Sequence, residues 1–381
     1  MNVPKIRFSK YNYEWNYEPL NKYVERIVRK NKNKESDLVL TISAQYGLVD
    51  QCTFFNRNVS SSNLDGYYLL YKGDFAYNKS YSNGYPWGAV KRLNLYDKGV
   101  VSSLYICFNT NTLIDSDYLQ HYFETNKWYS QISAISVEGA RNHGLLNIAV
   151  NDFFNTEHFF PNLDEQKDIS KVLNLLDKKI ELQSKKIEDL KLFKKGLIHQ
   201  MKKSSNNWTE YKISEIFKIT RGVVIPKTDL LDNKTDQYIY PVYSSQTTNN
   251  GILGYDAKFD FNGKYLTWTT DGANAGKVFF RNGKFRCTNV CGVLYNDTNN
   301  YVDELTAELL NYETPKHVSY VGNPKLMNNV MGDIKIFLPD SNESDRVSNI
   351  LLKINNKVLL EIDKLNKLVE LKKGLMQNMF V

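Results

Sequence analysis

Two pairs of loops hold the residues of this chain that could do chemistry. In the first half they are residues 43–47 and 78–87, followed by Lys91 and Arg92; in the second they are 244–250 and 267–277, followed by Arg281. Gln45, Asn78, Ser245, Gln246, Thr269, Asp271 and Asn274 carry amide, hydroxyl and carboxyl groups of the kinds that read the edges of nucleic-acid bases. Lys79, Lys91, Arg92, Arg141, Lys277, Arg281 and Lys325 supply cations for phosphates or bases. Tyr81 and Trp87 add rings on which a base can stack. For any one of these residues a solvated turn is the simpler account, so the weight falls on the loops as groups.

Patterns that would make the chain a catalyst fail one by one. None of the 9 prolines adjoins another, so the Asn/Asp-Pro-Pro-aromatic loop that holds a flipped base for amino methylation is missing. Residues 272–277 imitate a phosphate loop, but the glycines are one residue too close and Val278 stands where Ser or Thr would bind magnesium. Pro339-Asp340 followed by Glu370-Leu371-Lys372 imitates a nuclease signature, yet Glu370 and Lys372 fall in a heptad helix. The 4 cysteines (Cys52, Cys107, Cys287, Cys291) are too scattered for a disulfide framework. Cys287 and Cys291 read as buried free thiols rather than metal ligands. No catalytic residue and no metal site are assigned.

The elements that must position those loops emerge when the chain is slid over itself. Residues 161–201 and 339–379 align without a gap at an offset of 178, sharing Pro161/Pro339, Glu165/Glu343, Leu173/Leu351, Leu182/Leu360, Lys194/Lys372, Gly196/Gly374, Leu197/Leu375 and Met201/Met379 among others. Each copy reads as a long helix with steps of four and three. The first stripe is Ile169, Leu173, Leu176, Ile180, Gln183, Ile187, Leu190, Lys194, Leu197 and Met201. The second is Val347, Leu351, Ile354, Val358, Glu361, Leu365, Leu368, Lys372, Leu375 and Met379. Stripes this narrow, with charge on most other positions, call for a partner helix. Each helix could instead pack on its own domain; the reading preferred is that the copies pack on each other, with Gln183, Lys194, Glu361 and Lys372 fixing register. Gly196 and Gly374 each cost about 1 kcal/mol relative to alanine, which close helix approach or a helix break would explain.

Fainter matches carry the repeat into the preceding segments. Trp15 to Leu20 answers Trp208 to Ile213, Ser43-Ala44-Gln45 answers Ser244-Ser245-Gln246, Gly73 to Ala76 answers Gly263 to Leu266, and Trp87 to Val90 answers Ala275 to Val278. Aromatic and β-branched runs at 67–71, 100–108 and 290–295, punctuated by turn pairs, make both segments mostly β. Residues 117–127 and 302–312 supply one helix to each. The expected division is 1–160 (domain 1), 161–203 (central spacer helix), 204–338 (domain 2) and 339–381 (C-terminal spacer helix).

Composition permits this. The 381 residues are 42% hydrophobic and 24% charged, with net charge +7, which allows a polyanionic partner without demanding one. No run reaches the 18 apolar residues of a membrane span, and Met1 to Lys5 lacks an apolar signal region; a cytoplasmic protein with no membrane partner is expected.

Residues 160–167, 175–180, 194–197 (Lys-Lys-Gly-Leu) and 372–377 resemble the conserved regions of Type I restriction–modification specificity subunits. Asn342-Glu343-Ser344 departs from the Glu-Gln pairing more usual there. The resemblance implies an α+β chain: two mostly-β target-recognition domains separated by a two-helix antiparallel coiled coil in a pseudo-twofold internal repeat. The coiled-coil interface would be Ile169, Leu173, Leu176, Ile180, Ile187, Leu190, Leu197, Val347, Leu351, Ile354, Val358, Leu365, Leu368 and Leu375. Each domain would read one half of a bipartite site on double-stranded DNA. About 35 helical residues at 1.5 Å span roughly 50 Å, comparable to half-sites about one turn (34–36 Å) apart. Two methyltransferase (modification) subunits would methylate an adenine in each half-site, and restriction subunits would add translocase and nuclease activity. S-adenosylmethionine, Mg and ATP would belong to those partners, leaving this chain non-catalytic and without a cofactor. The alternative is a coiled-coil interaction protein with two β-rich protein- or carbohydrate-binding domains.

Overall fold

The computed structural model describes residues 2–55, 63–82, 84–136, 146–204 and 208–381. Contacts divide the chain into two units, Met1–Gln183 with Lys364–Val381, and Ser184–Asp363.

The first unit carries β1 (Asn16–Pro19), β2 (Val24–Arg26), β3 (Leu40–Ser43), β4 (Gly47–Asp50) and α1 (Gln51–Phe55). Then come β5 (Tyr68–Tyr71), β6 (Phe75–Asn78), β7 (Ala89–Arg92), β8 (Lys98–Val101) and β9 (Ile106–Thr110). Helices α2 (Ser116–Phe123), α3 (Tyr129–Ile135) and α4 (Val150–Phe154) follow, and β10 (Glu157–Phe160) leads into α5 (Leu163–Ser204). The sheet order is β2-β9-β6-β7, while β10 returns to pair with β1. Phe75 and Phe108 stack across β6 and β9 with centroids 5.2 Å apart, and Tyr77 packs on Phe153 at 4.9 Å. Burying such rings is the largest favourable contribution to this core.

The second unit repeats the plan. It carries β11 (Thr209–Lys212), α6 (Ile213–Ile216), β12 (Lys218–Arg221), β13 (Tyr240–Tyr243), β14 (Ile252–Asp256), β15 (Phe261–Thr269), β16 (Val278–Cys287) and β17 (Cys291–Tyr295). Helices α7 (Glu304–Glu313) and α8 (Asn328–Asp333), β18 (Lys335–Leu338) and α9 (Ser341–Met379) complete it. Its sheet order, β12-β17-β15-β16-β13-β14, contains the first unit's order with β13 and β14 added, and β18 pairs with β11 as β10 does with β1. The faint matches of the sequence lie at equivalent places. Leu20 and Ile213 are both fully buried, and Gly88 and Gly276, just before β7 and β16, share positive φ of 76° and 86°. A side chain at Gly88 would meet the Asn78 carbonyl oxygen at 2.2 Å, so this turn requires glycine.

Both long helices start at equivalent caps. Asn162 Oδ1 accepts from Glu165 N at 3.0 Å, and Asp340 Oδ1 accepts from Glu343 N at 3.0 Å. Every position of the two four-three stripes is sheltered, whereas off-stripe Leu175, Leu182, Leu192 and Leu360 are exposed. In the first unit Ile169 and Leu173 of α5 share a core with Met379 and Phe380 at the end of α9. In the second, Val347 and Leu351 of α9 share a core with Leu197 and Met201 of α5. The helices are therefore antiparallel in each unit. Self-packing and packing on a domain, posed as alternatives above, both occur, because each helix start is driven into its domain's core beside the other helix.

Glycine is another matter. Gly196 and Gly374 lie inside unbroken helices, and a Cβ at either would meet nothing within 4 Å. Neither close approach nor a break accounts for them. Among the described residues no helix is long and apolar enough to cross a membrane.

Candidate nucleic-acid interface

In the first unit the two loops singled out above converge. Residues 43–47 form the turn between β3 and β4, residues 78–87 join β6 to β7, and the Tyr85 hydroxyl donates to the Ala44 carbonyl at 3.0 Å. Between them lies a cleft of about 370 Å³ lined by Gln45, Tyr46, Asn78, Ser80 and Tyr81. Gln45, Tyr46 and Tyr81 are exposed, Tyr46 and Tyr81 at 69% and 61%. Asn78 is half-buried and accepts from Ser80 N at 3.1 Å. Trp87 packs partly buried against the core and accepts from the Tyr77 hydroxyl through its carbonyl at 2.7 Å. Lys79 donates to the Ile148 carbonyl at 3.2 Å, and burial lowers its pKa.

A second, larger cleft of about 830 Å³ opens beside the first, with Gln45, Tyr85, Lys91, Arg92, Lys372 and Lys373 in its lining. Its cations are mostly committed. Lys91 is buried and paired with Glu124; Arg92 donates to Asp117 at 2.6 Å and Ser116 at 2.9 Å; Lys372 pairs with Asp177. Such pairs hold elements together more than they attract a polyanion. Lys91 and Arg92 therefore depart from the phosphate-contact expectation. Arg141 lies outside the described residues.

In the second unit the residues divide. Gly272 N donates to the Pro324 carbonyl at 2.9 Å and Leu326 N to the Thr270 carbonyl at 2.8 Å, which binds loop 270–276 to residues 318–326. Asn274 and Lys325 are exposed there, whereas the Lys277 side chain turns away to line a cleft with Lys195 and Glu308, where desolvation lowers its pKa. Asp271 accepts from the Thr270 hydroxyl at 2.6 Å and stands 3.9 Å from Lys325 Nζ. Tyr320 and Val321, 69% and 92% exposed, sit in the same loop pair. Sequence reasoning missed them, for a tyrosine and a valine between turn residues look the same whether they point in or out.

Thr269 and Arg281 are not loop residues. β15 continues to Thr269, and Arg281 lies three residues into β16 opposite Tyr265, both residues falling on one face of the sheet with Thr267 and Phe279. Thr269 is buried, its hydroxyl donating to the Asn274 carbonyl and accepting from Lys277 N at 3.0 Å, so it closes the turn. Arg281 is 4% exposed, its guanidinium 3.6 Å from the Tyr243 ring centre and 4.4 Å from that of Phe279, with Nε donating to Thr267 Oγ1 at 3.1 Å. Cation–π contact offsets part of the burial cost, while burial still lowers the pKa. Ser245 and Gln246 are half-buried after β13, with the Gln246 amide spent on the Ile252 carbonyl. Cys287 and Cys291 are buried free thiols whose sulfurs lie 3.2 Å apart. Among the described residues no three His, Cys, Asp or Glu side chains are placed to hold a metal ion.

Comparison with known proteins bears on the family and the fold. A family model described as the Type I restriction modification DNA specificity domain matches residues 205–371. A putative type I specificity subunit N-terminus from Mycoplasma pneumoniae is 41% identical over 142 residues, 37% of this chain and 74% of that protein. The Type I restriction enzyme MpnII specificity subunit of the same organism is 38% identical over 142 residues, and there the match spans only 42% of the relative. The crystal structure of a Type-I restriction-modification S subunit from M. genitalium superposes over 100% of this chain and 99% of that one, with TM-score 0.65 at 17% identity. A chain of the type I R-M system, solved for its complex assembly and conformational transition, matches with TM-score 0.52 at 15% identity. At such identities the structural likeness speaks for the fold.

Proposed function

Because the chain belongs to the type I restriction–modification specificity subunits, we propose that it reads a bipartite sequence in double-stranded DNA, one half through each unit, without catalysing a reaction itself. The observation that carries this is the pairing of loops over one cleft in the first unit, where exposed Gln45 and Tyr46 of the β3-β4 turn stand beside Tyr81 of the loop between β6 and β7, two strands of a sheet whose order recurs in the second unit. An exposed amide beside two exposed rings suits hydrogen bonding to a base edge and stacking or sugar contact around it. In the second unit only the β15-β16 loop corresponds to one of those two loops; it stands against residues 318–326, where exposed Asn274, Lys325, Tyr320 and Val321 offer a polar edge and an apolar side chain that can meet a thymine methyl group.

Modification subunits would bind S-adenosylmethionine and methylate adenine in each half-site, and restriction subunits would use ATP and Mg to translocate and cut. This chain would direct both, in the cytoplasm, where the DNA is. The test is methylome sequencing of a strain with and without the gene, beside a gel shift with a modification subunit present. The expected result is one split motif whose methylation disappears with the gene. Methylation unaltered by deletion, together with no sequence-selective shift, would overturn the reading.

A further inference from the structure

Lysine is a poor choice for the seam between two helices, yet both stripes carry one at the same step, Lys194 and Lys372. Each meets a junction of three helices. In the second unit, Lys194 Nζ on α5 donates to Asn355 Oδ1 on α9 at 3.0 Å and to Glu308 Oε1 on α7 at 2.8 Å. Asn355 Nδ2 returns to Glu304 of α7, closing the set. In the first unit, Lys372 on α9 pairs with Asp177 on α5, and Asp177 Oδ2 stands 4.0 Å from His121 Nδ1 on α2. One turn earlier on α5, Asn174 meets His121 Nε2 at 2.8 Å and donates to Asp117 of α2 at 2.7 Å. Asp177 and Asn355 are themselves 178 positions apart, as the lysines are. The two lysine side chains keep only 17% and 19% of their exposure.

The neighbouring contacts follow the same plan. Asp115 and Asp303 cap α2 and α7 by accepting from Tyr118 N and Thr306 N, each at 2.8 Å. Each cap is also tied to the long helix: Asp115 N donates to Gln166 at 2.8 Å, and Ser344 donates to Asp303 at 2.6 Å. Gln166 and Ser344 are again 178 apart. The same helix of each domain is thus anchored at its cap and again along its length.

Sheltered ion pairs seldom outperform apolar side chains in stability. What they add is direction, because a hydrogen bond fixes an angle where leucines slide, and a polar seam residue fixes register at a cost in stability. We propose that Lys194 and Lys372 are positioning residues: Lys194 locks α7 directly to the helix pair, Lys372 ties α9 to the stretch of α5 whose Asn174 holds α2, and together they fix the separation of half-sites that the complex accepts. This rests on the bipartite reading above.

The test uses the chain assembled with its modification subunits and reads methylated motifs genome-wide for wild type, Lys194→Met, Lys372→Met and the double variant. The expected result is an unchanged sequence in each half-site, with methylation at sites whose spacer is one base pair longer or shorter rising at least tenfold relative to the native spacer. Loss of a merely structural contact would lower methylation at every site alike. Spacer length unchanged in an assembled double variant, or a uniform loss without relaxation, overturns the proposal. Should the methionine variants fail to assemble, Lys194→Gln and Lys372→Gln, which keep a hydrogen-bond donor without the charge, are held to the same outcomes. A wild-type motif that is not split would instead overturn the bipartite reading itself.

Discussion

His158 Nδ1 lies 2.8 Å from the hydroxyl of Tyr122, while its other ring nitrogen lies 2.8 Å from that of Thr156, in the interior of the first unit. With 3% exposure and, among the described residues, no carboxylate against it, the ring is held neutral, and burial lowers its pKa to about 3. The unfolded chain takes up a proton near pH 6.5 and the folded one does not, so stability is full above pH 6.5 and declines as pH falls toward 3. Between pH 7 and pH 4.5 this one residue should remove about 2 kcal/mol. Urea unfolding of wild type and His158→Gln at both pH values checks it. The variant should lose correspondingly less on acidification, and equal losses would disprove the assignment.

Glu304 behaves in the opposite sense. Burial, with Glu308 adding repulsion against the pull of Lys194, raises its pKa to about 7. The folded state then holds the proton more tightly than the unfolded one, so stability is greatest below the ordinary carboxylate range and falls as pH rises toward 7. Glu304→Gln keeps an oxygen to accept from Asn355. It should stabilise the second unit by on the order of 2 kcal/mol at pH 8 and by nearly nothing at pH 4. Hydrogen exchange over α7 at the two pH values measures the difference, and a gain at pH 4 equal to that at pH 8 would contradict it.

Gly196→Ala and Gly374→Ala should each raise stability by up to about 1 kcal/mol, since the helix runs through both and a methyl group meets no neighbour. Thermal unfolding of the isolated chain is the measurement. If both alanine variants melt earlier than wild type, some constraint on these helices has gone unrecognised.

Much of the fold was legible because a duplicated chain carries its own control. The stripes from Ile169 and from Val347, the shared helix starts and the glycines before β7 and β16 all recur at matching places, and the structure places them in matching environments. The interface was less legible. Gln45, Asn78 and Tyr81 could be grouped because their loops are short and flank strands. Arg281 could not be placed, for nothing local tells a cation in a loop from one three residues into a strand; β16 runs to ten residues and carries it inside. Lys91 and Arg92 looked like free cations because Glu124 and Asp117, which neutralise them, are more than twenty positions away in sequence.

That neutralisation separates three roles in DNA binding. Gln45 is exposed over the cleft of the first unit, so Gln45→Ala should cost about 1–3 kcal/mol against the cognate sequence, relax one base position and leave the salt slope alone. Lys325 is half-exposed with its partner Asp271 at 3.9 Å, so Lys325→Ala should weaken binding to all sequences alike and reduce the slope by about one. Arg92→Ala removes a charge already held by Asp117, so the slope should not move, while α2 loses its bonds to β7 and the first unit loosens. Titration of cognate and scrambled duplexes across a salt series, beside the melting temperature of each variant, reads all three. A slope that falls for Arg92→Ala while the fold stays intact would return that residue to the DNA and break the distinction.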